Sequence, residues 1–159
     1  MAVIDAHHHV WWVAKRTHPF PAIFGNRLAR DFTPDDRVPE LRAAGIDGTI
    51  LVQSLNDYDE TIQYLDLADT HDFIRGVVGW IPLTDPAACE RALDGVRARP
   101  RFVGVRHLMN YEPDPNWLLR ADVIESLRQL AQRRVAFEAI PSTTSSSSPC
   151  LSLRRGCPT

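Results

Sequence analysis

The sequence predicts an α/β fold built on a parallel sheet, and three observations predict it. Short β-branched runs alternate with helical ones up to about residue 140, the mark of consecutive βαβ units. The strand interiors are nearly unbroken Val, Ile and Leu, which suits strands covered on both faces. Centres at Val3, Leu51, Val78, Val105 and Glu138 lie 48, 27, 27 and 33 residues apart. The last three intervals each hold one β/α unit, and the first is swollen by an insertion.

Strands are expected at residues 2–7, 48–54, 74–82, 102–109 and 136–140. The first helix should open at Thr33-Pro34, with Thr33 as N-cap, Pro34 at the first helical position and Asp35 and Asp36 in the positive first turn. The second spans about 58–71, with Tyr58, Ile62, Leu65 and Ala68 on one face. The third starts at Asp85-Pro86 and buries Cys89, Leu93 and Val96; the fourth covers about 121–134 on a stripe of Val123, Leu127, Leu130 and Ala131. The insertion at 10–32 is rich in aromatics (Trp11, Trp12, Phe20, Phe24). An irregular loop of that length suggests a functional element such as a lid, and Trp11 at its start is a candidate substrate contact.

Composition narrows the function. The 159 residues are 44% hydrophobic and 24% charged with net charge −2, the balance of an ordinary globular domain without a basic field for nucleic acid. Apolar runs fall far short of a membrane span, and the N-terminus lacks the basic and apolar regions of a signal peptide. A cytoplasmic protein is expected. Three cysteines (Cys89, Cys150, Cys157) make no disulfide framework.

The sharpest motif is Ile4-Asp5-Ala6-His7-His8-His9-Val10-Trp11, at the C-terminal end of the first strand. Side chains alternate along an extended chain, so His7 and His9 point one way and His8 the other. Two imidazoles so placed can share one metal ion or flank one substrate carbonyl. His8 reads as a solvated histidine. Gln53, ending the second strand, could bind a substrate hydroxyl or satisfy local backbone groups. Trp80 could wall a sugar pocket or pack in the core. Arg106 and His107 end the fourth strand, where a guanidinium could bind a carbonyl or carboxylate through a charge-assisted fork.

The opening motif resembles the amidohydrolase superfamily, in its amidohydrolase-related (type 2) branch. Within that branch the chain is similar to the sugar-lactone hydrolases related to L-fuconolactonase and L-rhamnonolactonase. Leu51-Val52-Gln53, Gly76-Val77-Val78-Gly79-Trp80, Gly104-Val105-Arg106-His107 and Glu112-Pro113-Asp114-Pro115 with Trp117-Leu118 extend the resemblance over about residues 3–140. It implies the first part of a TIM (β/α)₈ barrel, about five parallel strands and four helices, with active-site groups at the C-terminal strand ends. The implied activity is hydrolysis of a sugar-derived lactone, a small-molecule substrate. His7, His9, Arg106 and His107 are then the candidate catalytic residues, and Gln53, Trp80 and Trp11 the candidate substrate contacts. His7 and His9 would hold a divalent ion such as zinc in metal-dependent members, or donate directly to the carbonyl in metal-independent ones. The alternatives are a metal-dependent decarboxylase or amide hydrolase of the same superfamily, or an inactive barrel fragment.

The full family pattern adds a histidine after strand six and an aspartate general base at strand eight. A closed (β/α)₈ barrel takes about 250 residues, so this sequence is expected to hold only part of that machinery, residues 1–140 forming a partial barrel. Open edges of such a barrel could drive self-association, and two histidines alone predict weak zinc binding at most. At Pro141 the pattern breaks into a serine-rich tract. Residues 141–159 are expected to be a disordered tail or the product of a frameshift, since shifted codons for the Ser/Thr tract can encode a helix-like apolar run.

Overall fold

Five strands wind in one direction around a single sheet in the computed structural model, which describes residues 1–18 and 25–140. They are β1 (Ile4–His8), β2 (Gly48–Val52), β3 (Ile74–Gly79), β4 (Phe102–Leu108) and β5 (Ala136–Ile140), in the order β1-β2-β3-β4-β5. All four pairings are parallel. Each new strand joins its predecessor and the order never reverses, which is barrel winding; a doubly wound sheet would restart on the other side of its first strand. Each predicted strand is present, with no end moved by more than three residues and the fifth unchanged. The third stops at Gly79, because the following Trp80-Ile81-Pro82 leaves the ladder and Pro lacks the N–H a ladder needs.

Four helices fill the connections: α1 (Pro34–Ala44), α2 (Tyr58–Thr70), α3 (Pro86–Val96) and α4 (Ala121–Gln132). Thr33 is the N-cap of α1 as expected, but the carboxylate does the bonding: Asp36 accepts from the Thr33 backbone N–H at 2.7 Å and from its hydroxyl at 2.9 Å. Asp85 caps α3 by accepting from the Ala87 and Ala88 N–H groups, both at 3.0 Å. Gly45 closes α1 in the left-handed region at φ 66°, where glycine lacks the Cβ penalty.

The core lies between sheet and helices in two clusters. Leu51, Ile74 and Val77 pack with Tyr64, Leu65 and Ala68 of α2. Val105 packs with Cys89 and Leu93 of α3 and Val123 and Leu130 of α4, so Cys89 is a core residue as read from the sequence. Helix α2 is rotated from its predicted face. It buries Glu60, Thr61, Tyr64, Leu65 and Ala68, while Tyr58 and Ile62 only flank the core. Close approach permits this rotation, since a Cβ on Gly79 would sit 2.3 Å from Thr61 Cγ2.

The insertion is pinned at its ends. Trp11 and Phe32 form an antiparallel bridge with two 2.9 Å hydrogen bonds, their rings 4.3 Å apart. Arg16 reaches Asp57 at 2.6 Å and Gln63 at 2.5 Å, fastening the loop to the start of α2. The remainder of the expected lid, residues 19–24, and the tail at 141–159 lie outside the described residues. Among the described residues no helix is long and apolar enough to cross a membrane.

Candidate active site

The alternation at the end of β1 sorts the three histidines. His7 and His9 face each other, with Nε2 atoms 3.1 Å apart and rings at 84°. His8 turns the other way. It is 7% exposed, with Nε2 at 2.8 Å from Thr49 Oγ1, so the expectation of a solvated His8 is corrected. The physical reason is the helix side of the sheet, where α1 covers it: Arg37 of α1 lies beside it and pairs with Asp5. Burial, with the Arg37 charge adding to it, pushes the His8 pKa down to about 4.

Arg106 of β4 completes the cluster on the inner side. Its Nη1 donates to His7 Nε2 at 3.1 Å. Its Nη2 donates to the Gln53 carbonyl and, at 3.2 Å, to Gln53 Oε1. The side chain is therefore clamped, and Arg106 is 3% exposed. His7, His9 and Arg106 line a cavity of about 580 Å³ whose other walls include Trp11, Leu28, Leu108 and Tyr111. The floor is polar and the walls are largely apolar, the usual make-up of a small-molecule site.

Hydrogen-bond directions fix the protons. The Val52 carbonyl can only accept, so His9 Nδ1, 2.8 Å away, carries the hydrogen. In neutral His9 the Nε2 is then an acceptor. A guanidinium can only donate, so His7 Nε2 is an acceptor as well. Protonation does not relieve this confrontation near neutral pH. Burial pushes the His9 pKa down to about 4 against the pull of the Val52 bond. The His7 pKa falls too, by burial and then by the Arg106 charge.

The remaining candidates divide. Trp11 reaches the cavity, its indole held by the Leu28 carbonyl at 3.3 Å. Gln53 is fully buried and spends its amide on Arg106 and Asn56. His107 faces away from Arg106. Trp80 Nε1 donates to its Nδ1 at 2.9 Å, leaving Nε2–H to donate to Glu112 at 2.7 Å, and Trp117 stacks on the ring at 3.9 Å. Burial lowers the His107 pKa, with Glu112 opposing. The structure thus brings His7, His9, Arg106 and Trp11 to one cavity and places Gln53, Trp80 and His107 behind it as supports.

Sequence reasoning missed Ser54, Glu60 and Tyr64. Ser54 lines the cavity and donates its hydroxyl to Glu60. The Glu60 carboxylate also accepts from the Ser54 N–H at 2.8 Å and the Leu55 N–H at 3.0 Å. Burial raises its pKa while these donors oppose the shift. Tyr64 donates to the Val10 carbonyl, tying α2 to the residue after His9. A stripe search that admits polar members would have found 60, 61, 64, 65 and 68, whose spacing is helical.

A family model described as Amidohydrolase matches residues 4–140. The chain belongs to the amidohydrolase family. This amidohydrolase chain is 32% identical over 139 residues to an L-fucono-1,5-lactonase of Burkholderia ambifaria, across 86% of the chain and 47% of that protein. It is 34% identical over 111 residues to an L-fucono-1,5-lactonase of Burkholderia multivorans, across 70% and 37%. An amidohydrolase from Burkholderia multivorans, crystallised with HEPES and in another form with zinc, superposes with TM-score 0.79 at 28% identity, over 89% of this chain and 49% of that one. The chain spans about half the length or less of the curated relatives it matches. Its five strands and four helices form part of a TIM barrel.

The facing lone pairs of His7 and His9 fit a divalent ion. If a divalent ion were bound, His7 and His9 would hold it through these Nε2 atoms, 3.1 Å apart. Among the described residues no group of three or more His, Cys, Asp or Glu side chains is placed to hold a metal, so the pair supplies two positions of a shell and no third.

Proposed function

We propose that this chain supplies the carbonyl-binding side of a sugar-lactone hydrolase site. The observation that carries the reading is the convergence of His7, His9 and Arg106 within hydrogen-bond distance at the C-terminal ends of β1 and β4. Lactone hydrolysis adds water to the ring carbonyl, places negative charge on its oxygen, and releases the ring oxygen with a proton. Arg106 offers a fixed positive charge for the developing oxyanion, already oriented by Gln53. Trp11, Leu28 and Tyr111 shield the site from bulk water and offer apolar faces to a sugar ring. Ser54, its proton committed to Glu60, presents lone pairs to a substrate hydroxyl. When a divalent ion is bound, His7 and His9 would hold it, and it would acidify a water and polarise the carbonyl. The L-fucono-1,5-lactonase relatives support an aldonolactone substrate.

The residues brought together at β1 and β4 serve binding and polarisation of the carbonyl. Titrating the 159-residue chain with L-fucono-1,5-lactone, followed by tryptophan fluorescence, tests it. Saturable binding that weakens at least about tenfold in Arg106→Ala is expected from loss of a charge-assisted contact. Preference for aromatic carboxylates that lose carbon dioxide would replace this reading with the decarboxylase. Binding indifferent to Arg106 would overturn it.

A further inference from the structure

His7 Nε2 has one in-plane lone pair, and two cations could claim it. The guanidinium of Arg106 already takes it, at 3.1 Å. A divalent ion shared with His9 would need the same lone pair, since the other ring's Nε2 lies only 3.1 Å away. Arg106 cannot readily withdraw. It is buried at 3% exposure, and its second amino group is fastened to both the carbonyl and the side chain of Gln53. Its Nε has no hydrogen-bond partner among the described residues, so the clamp depends on the two terminal amino groups. Burial disfavours the Arg106 charge, and Glu138, registered opposite it on β5, opposes that effect together with Glu60.

We propose that Arg106 is a built-in antagonist of metal binding at the His7–His9 pair. Clamped by Gln53, it satisfies the His7 lone pair with a fixed single charge and repels a divalent ion approaching the same atom. Like charges a few ångströms apart in a partly buried site interact strongly, so the antagonism should be large enough to read directly. The antagonism follows from the His7–Arg106 geometry and holds whichever carbonyl compound the site binds.

The test measures zinc affinity of the 159-residue chain at neutral pH by competition with a chromogenic chelator, with zinc as the only added ligand. Arg106→Met is expected to bind zinc at least about tenfold tighter than the unaltered chain. That gain should vanish when His7→Ala is added, and Arg106→Lys, which keeps the charge, should gain less than Arg106→Met. Equal or weaker binding by Arg106→Met would overturn the proposal, as would a gain that survives His7→Ala. Because Arg106 also braces β2, a second measurement needs no variant. The side-chain nitrogen resonances of Arg106, His7 and His9 are followed by NMR while zinc is added. Zinc-dependent shifts at His7 and His9 should coincide with loss of the Arg106 amino signal hydrogen-bonded to His7. Saturation at both histidines with the Arg106 signals unmoved would refute the antagonism.

Discussion

Two faces of one sheet use the same residue type in opposite ways. On the inner face, His7 and His9 bring their Nε2 atoms within 3.1 Å of each other, and Arg106 donates to His7. On the helix side, His107 has both ring nitrogens engaged and an aromatic ring stacked on it, while His8 is wedged against Thr49 and Arg37. Members of each set are sequence neighbours. The contrast is one of packing: His8 and His107 are buried on the helix side, whereas His7 is exposed to the inner cavity that His9 also lines.

The sharpest way to break the comparison is to remove a support. His107→Ala deletes a stacked ring and two hydrogen bonds in a fully packed site. It should cost about 3 kcal/mol of stability in urea unfolding. Loss below about 1 kcal/mol would mean that the helix-side histidine is dispensable.

Next in size is the response to acid. The folded-state pKa values of His8 and His9 lie at about 4 against an ordinary 6.5. Between those values the unfolded chain binds protons that the folded chain refuses, so stability is full above about pH 6.5 and declines as pH falls toward 4. From pH 7 to pH 5.5 the two groups together should remove about 2 kcal/mol. Unfolding free energies that stay flat or rise over that interval would contradict the burial assigned to them.

Smaller effects sharpen the boundary. Trp80→Phe removes only the indole N–H that His107 Nδ1 accepts, 2.9 Å long, and should cost about 1 kcal/mol. His7→Ala, on the exposed inner face, should change stability by less than about 0.5 kcal/mol. A large loss there would move His7 from ligand site to scaffold.

Much of the fold was legible because local signals agreed. Thr33-Pro34 and Asp85-Pro86 mark helix starts by capping and fixed φ, and the apolar runs mark the strands. The convergence of His7 and His9 was legible from the two-residue period alone. That same period separates Arg106 from His107, and treating the two as one site group overlooked it. Glu60 was not legible from hydrophobicity, because a carboxylate can be buried only where donors meet it. Those donors come from the backbone of Ser54 and Leu55, which only the folded turn assembles.

On the proposed function the inner face receives the ligand and the helix-side face holds the scaffold. Histidine side-chain NMR during titration with L-fucono-1,5-lactone tests this most directly, since all four rings report in one experiment. The expected result is saturable movement of the His7 and His9 resonances with His8 and His107 unmoved. Movement of His8 or His107 while His7 and His9 stay fixed would contradict it.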